Sequence, residues 1–203
     1  MTVKDHDMNC YYSFSLFSLA GIKISVSKLN NHTETLKKIL DVLFTARDNG
    51  NRIYVMGNGG SASTSTHFVS DLLKTSIMEN ENRFKAISLS DNIPVVFAWS
   101  NDVSFDSIFV EQLRNFIDKN DVVIGISGSG NSENVINAIN FANKSEATTI
   151  SLTGNNGGKI SKISKINLTI SNNDMLTIET MHLLVCHLLT TLIRNEGKPL
   201  FTY

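Results

Sequence analysis

Cysteine is nearly absent from this chain: among 203 residues only Cys10 and Cys186 occur, and they are far apart. Two such residues build neither a disulfide framework nor a cysteine zinc cage, and a reduced, cytoplasmic setting is the simplest expectation. Charge is scarce and balanced, with 18 Lys and Arg against 19 Asp and Glu for a net charge of −1. No Lys/Arg cluster stands out, so nucleic acid is not expected as a partner. No apolar run reads as long enough to cross a membrane, and a membrane partner is not expected either. The run Tyr11–Ala20 follows a nearly charge-balanced segment carrying Lys4, Asp5 and Asp7, with no clear cleavage pattern after it. That is not the make-up of a signal peptide. With 41% hydrophobic residues the chain is not of disordered composition. Its length suits one domain with a substantial core.

Short apolar runs alternate with helical patterns along most of the chain. Leu36, Ile39, Leu40, Leu43 and Phe44 fall on one face of a helix that ends near Asn49-Gly50. Runs 53–56, 86–89, 122–126, 148–152 and 166–170 read as strands. Pro94 suits a first helical turn, and Phe105, Ile108, Phe109, Leu113 and Phe116 form a further apolar helical face. A long helix from about Leu176 to Arg194, apolar over much of its circumference, is expected to be deeply buried or to lie in a subunit interface. Strands alternating with helices predict a parallel α/β sheet, whose ligands bind at the strand carboxyl ends.

Two polar turns stand at such ends. Gly57-Asn58-Gly59-Gly60-Ser61 follows the 53–56 strand, with Ser61 placed as the N-cap of a helix over 62–75. Ser127-Gly128-Ser129-Gly130-Asn131-Ser132 follows the 122–126 strand. Hydroxyls and free backbone N–H groups at helix starts suit a phosphate monoester without requiring a basic side chain. Either stretch alone also suits an ordinary βα turn with serine caps. The glycine spacing is that of neither a dinucleotide fingerprint nor a Walker A loop.

His67 and Asp71, four residues apart, share a helix face and are spaced to share a metal or a substrate. The last helix carries Glu179, His182 and His187. Glu179 and His187 are separated by a rise of about 12 Å, so one ion would be reached more easily by ligands from two subunits. For each residue alone, a hydrogen-bonded core polar group is an equally ordinary role.

Taken in order, Gly57–Ser61 with His67, then Asn101-Asp102, then Ser127–Ser132, then Ile178-Glu179 with His182 and His187, resemble the sugar isomerase (SIS) domain family and its phosphoheptose isomerases. The likeness covers roughly residues 30–195. It implies a flavodoxin-like three-layer αβα sandwich with a five-stranded parallel sheet. The whole chain, 1–203, would be one SIS domain with an N-terminal helical extension over about 1–50. A cytoplasmic homotetramer with active sites at subunit interfaces and one Zn2+ per subunit is also implied. The reaction implied interconverts sedoheptulose 7-phosphate and D-glycero-D-manno-heptose 7-phosphate through an enediol. That step opens nucleotide-activated heptose synthesis for lipopolysaccharide, S-layer or capsule.

Carried over residue by residue, Ser61, Ser127, Ser129 and Ser132 would hold the phosphate. Asn58, Gly59, Gly60, Asn101 and Asp102 would line the sugar site, with Gly128 and Glu179 beside them. His67, Asp71, Glu179 and His187 match the zinc-ligand positions, and Asp71 and His187 match the acid/base pair. Three positions depart from the family pattern: Asp71 stands for a usual Glu, Glu179 for a usual Gln and Gly128 for a usual Thr. The alternatives are isomerisation of another sugar phosphate, or a non-catalytic SIS module that binds a sugar phosphate or a protein, as some relatives do in replication control or transcription.

Overall fold

The β-branched run Val122–Ser127 (β3) is buried along its whole length at the centre of a sheet. The computed structural model describes residues 19–201; Cys10, most of the apolar run 11–20 and the first part of the expected N-terminal extension lie outside them. β1 (Arg52–Gly57) and β4 (Thr148–Gly154) flank β3, while β2 (Lys85–Ser88) and β5 (Ile166–Ile170) form the edges. The order is β2-β1-β3-β4-β5 and every pairing is parallel. Both faces must then be covered, which is why the central strands are almost uninterrupted apolar runs.

Helices α2 (Thr33–Asn49), α3 (Gly60–Ser70) and α8 (Met175–Asn195) cover one face, where Ile39, Leu43, Phe68, Met181 and Val185 meet Ile53, Val55, Ile124 and Leu152. Residues 19–28 form a further helix, α1, ahead of α2. The opposite face packs Tyr54, Met56 and Val123 against Ile108, Phe109 and Leu113, the last from α5 (Val110–Phe116). Val135, Ile139 and Ile160 join them from α6 (Glu133–Lys144) and α7 (Ile160–Ile163). The result is the three-layer αβα sandwich expected from the family resemblance. The apolar face read over 105–116 is divided: Ile108, Phe109 and Leu113 are buried, while Phe105 and Phe116 face outward.

α4 (Ile93–Asp102) starts with Pro94 in its first turn and an Asn92 side chain accepting from Val95 N–H, yet buries none of its residues. Phe97 is 67% exposed, and at the start of α8 Leu176 is 70% exposed.

α8 corrects one sequence expectation. At 21 residues it is long and apolar enough, by length and composition, to cross a membrane. Half of its most apolar window is buried within the domain, and Ile178, Met181, Val185, Leu189 and Ile193 belong to the core. It also carries His182, fully buried, whose Nε2 lies 3.0 Å from the Thr153 carbonyl oxygen and whose Nδ1 has no partner among the described residues. Burial lowers the His182 pKa below its ordinary value, outweighing the opposing Thr153 contact. The unfolded chain therefore binds a proton that the folded one refuses. The stability that depends on neutral His182 is fully present above the unfolded value of about 6.5 and is lost as pH falls towards the folded pKa. Urea midpoints measured at pH 7.5 and 5.5 should fall more steeply in the wild type than in His182→Gln; equal slopes would remove His182 from the acid sensitivity.

Candidate active site

The strand order reverses between β1 and β3, and a parallel sheet opens a crevice at such a switch point, outside the strand carboxyl ends. Both polar turns open into it. After β1 the chain turns at Gly59, whose φ of 54° lies where side chains are disfavoured, and α3 begins at once with Gly60. Gly59, not Ser61, is thus the N-cap, and the helix expected over 62–75 starts at Gly60 and continues to Thr75, α-helical as far as Ser70. Ser61 is a buried first-turn residue whose N–H donates to the Asn58 carbonyl at 3.0 Å. The reason is that the backbone reversal needs glycine, so the helix starts before a serine can cap it.

After β3, Ser127 Oγ and Ser132 Oγ lie 3.1 Å apart. Ser127 Oγ also accepts from Gly130 N–H at 3.2 Å, and Ser129 Oγ accepts from Asn131 N–H at 3.2 Å. Ser132 occupies the N-cap of α6 without a side-chain cap bond, so its hydroxyl stays with the loop. Asn131 braces the loop: its amide donates to the Ser129 carbonyl at 2.9 Å and accepts from Lys159 N–H at 3.1 Å. The two turns are joined by a pair of amides. Asn58 Nδ2 donates to Asn134 Oδ1 and Asn134 Nδ2 donates to Asn58 Oδ1, both at 2.9 Å. Asn134 was not legible as a site residue, because one Asn in a helical first turn looks like any other.

α8 packs beside α3 and meets it at two levels. At the upper level Glu179 sits over Gly60, where any Cβ would overlap its carboxylate. Met175 lies over Gly128 in the same way, and its sulfur takes the space of the missing side chain. The departure from Thr at Gly128 therefore has a packing cause in this chain. Two helical turns further along, His67 Nε2 and His187 Nε2 are 2.9 Å apart, with the rings edge-on. Asp71 Oδ2 is 3.7 Å from the first and 3.9 Å from the second, and its side chain is 13% exposed. Asp71 opens a π-helical turn, Asp71–Thr75, that ends α3. Such turns recur at functional sites because the extra residue re-aims a side chain.

One donor atom from each of His67, Asp71 and His187 lies within 4.8 Å of the others. Imidazole nitrogens and a carboxylate suit zinc, and a tetrahedral ion with bonds of about 2.0–2.1 Å has ligand edges of about 3.3 Å. The three observed separations bracket that edge, so the donor set fits a divalent ion and leaves a coordination position open. Glu179 stands outside the group, at the level of Gly60, as its eight-residue separation from His187 requires. Asn101 and Asp102 bond each other at 2.8 Å on the exposed end of α4. Among the described residues they make no hydrogen bond to the loops or to the His/Asp group. Cys186, beside His187, is not a candidate nucleophile: burial, and secondarily the Asp71 charge, push its thiol pKa up.

A cavity of about 260 Å³ lined by Gly60, Ser63, Thr64, His67, Glu179, Thr180 and Leu183 connects the two levels. His67 also lines a wider one of about 660 Å³ with Thr66, Ser90 and Asp91.

The SIS domain family matches residues 20–154. The chain belongs to that family. A phosphoheptose isomerase from Helicobacter hepaticus is 36% identical over 173 residues, covering 85% of this chain and 87% of that protein. One from Helicobacter pylori strain 26695 is 38% identical, covering 80% and 84%. The structure of phosphoheptose isomerase GmhA from Neisseria gonorrhoeae superimposes with a TM-score of 0.81 at 28% identity, covering 93% of this chain and 98% of that one. Within the SIS domain family, the chain is therefore a member of the phosphoheptose isomerase group.

Proposed function

We propose that this protein is an aldose–ketose isomerase converting sedoheptulose 7-phosphate to D-glycero-D-manno-heptose 7-phosphate. The observation that carries this reading is the meeting of His67 and Asp71, on the helix whose N-terminus adjoins the serine loop, with His187 of α8. His67 lies six residues beyond Ser61, about 9 Å along the helix axis, a separation suited to an extended phosphorylated sugar.

In this reading Ser61, Ser127, Ser129 and Ser132 bind the phosphate through hydroxyl and backbone donors. Asn58, Gly59, Gly60, Gly128 and Glu179 line the sugar. Asp71 takes the proton from the carbon beside the carbonyl, exchanges it with solvent, and delivers a proton to the neighbouring carbon. His187 moves a proton between the two oxygens, so the enediol forms and collapses without net change in charge. His67, Asp71 and His187 hold the ion, taken as Zn2+, which when bound polarises the substrate oxygens. Glu179 would join a coordination sphere only across a subunit boundary, where Asn101 and Asp102 would also reach substrate.

The exposed apolar groups of α4 and α8 support a homotetramer, with the whole chain as one SIS domain behind a helical N-terminal extension. Sedimentation equilibrium is expected to return a tetramer mass, and a stable monomer at micromolar concentration would count against shared sites. A cytoplasmic location and a role in activated-heptose synthesis for surface polysaccharide complete the reading.

The function is tested by an NMR time course of metal-replete protein with sedoheptulose 7-phosphate in deuterated water. Aldose signals carrying solvent deuterium beside the carbonyl are expected. Binding without conversion would transfer the reading to another sugar phosphate or to a binding module.

A further inference from the structure

The amide pair across the switch point has a directional logic. Asn134 is 1% exposed, so water does not satisfy its carboxamide. Its Oδ1 accepts from Val135 N–H at 2.9 Å, and that donor decides which end of the Asn134 amide is oxygen. With this end set, Asn134 presents one acceptor and one donor to Asn58, which answers with the complementary pair at 2.9 Å each. The orientation of the Asn58 amide therefore follows from a backbone N–H on α6. Asn58 is only half-buried and directly precedes the Gly59-Gly60 turn. After the two mutual bonds it keeps one N–H and one oxygen lone pair for a ligand.

We propose that Asn134 is a positioning residue for the isomerisation: it holds the Asn58 carboxamide in one flip and one plane at the mouth of the crevice, and couples the Gly-rich turn to the serine loop. Asn134 acts through Asn58 and does not touch substrate. The inference rests on the isomerase reading above. Because Asn58 and Asn134 bond each other twice, deleting either one releases the other, and their effects on catalysis cannot be independent.

The test is a double-mutant cycle with Asn58→Ala and Asn134→Ala, read as kcat/KM for sedoheptulose 7-phosphate with thermal melts alongside. Asn134→Ala is expected to lower kcat/KM by about tenfold. The double variant should be no worse than Asn58→Ala. Asn134→Asp preserves shape and both acceptor contacts but sets an oxygen against Asn58 Oδ1 where the amide donates, so it should lose activity as the alanine does. It also carries the comparison with Asn58→Ala if Asn134→Ala fails to fold. Multiplicative losses in the double variant, or a lowered melting temperature with unchanged kcat/KM, would overturn the positioning role while leaving the isomerase reading intact. A wild-type chain that converts no substrate would overturn both.

Discussion

Asp71→Ala and His187→Ala are each expected to lower kcat by about 10³-fold, within the range that a positioned acid or base contributes. In the proposed mechanism these two side chains move the protons, and they share a group with His67 in which each donor lies within 3.9 Å of another. Residues acting as a unit are not additive, so the double variant should lose little more than the worse single one. His67→Ala separates ion holding from proton transfer. It should lower bound metal, measured by elemental analysis, along with the rate. Asp71→Asn should keep more metal than Asp71→Ala, because an amide oxygen can still coordinate, yet recover little rate because an amide is no base. Dialysis against a chelator should reproduce the His67→Ala loss in the wild type, and added zinc should reverse it. Turnover at wild-type rate in both Asp71→Ala and His187→Ala would sink the assignment.

Why these groups meet was only partly legible in the sequence. The i, i+4 spacing placed His67 and Asp71 on one face, and the apolar circumference of the last helix marked it as buried. Neither pattern says that α8 runs beside α3, because helix-to-helix register is set by packing across the sheet. Once that register is known, the eight residues from Glu179 to His187 and the seven from Gly60 to His67 become the same two-turn step on adjacent helices. The geometric objection to Glu179 and His187 sharing one ion within a subunit is then visible as two separate contacts. The π-helical turn at Asp71 left no trace, since the residues it contains, Leu72 among them, still fit a helical apolar pattern.

The five strands were legible for a simpler reason. A strand covered on both faces is a short apolar run closed by Gly, Ser or Asn, and little else in a chain of this size has that form. Ends were harder: β3 extends to Ser127 and β4 to Gly154, because ladder pairing of Ser127 with Thr153 continues beyond the apolar residues. The exposure of Ile93 and Phe97 on α4 was not legible, because an apolar residue reads the same in sequence whether or not a neighbour covers it.

Gly130→Ala is expected to be the most damaging single change in the serine loop. Gly130 has φ of 65°, and a Cβ there would overlap the backbone carbonyl of Gly157. The left-handed conformation costs an alanine about 1–2 kcal/mol. Overlap with backbone, which cannot rotate away as a side-chain tip can, adds about 1–3 kcal/mol. Their sum, about 3 kcal/mol, corresponds to a fall in Tm of about 6–12 °C for a chain of this length. Gly50→Ala is the control. Gly50 has φ of 69° at the end of α2, but its added Cβ would meet first the flexible Lys85 side chain, at 3.1 Å from Nζ. It should cost about 1 kcal/mol, the conformational part alone. The loop adds a functional consequence. Gly130 N–H donates to both the carbonyl and the hydroxyl of Ser127, and its carbonyl accepts from Ile160 N–H at 3.0 Å. Moving Gly130 therefore moves Ser127, so Gly130→Ala should weaken inorganic phosphate binding in an NMR titration while Gly50→Ala leaves it unchanged. Equal melting temperatures for the two variants would mean that the 154–158 loop yields to the added methyl, and that the serine loop is not held by it.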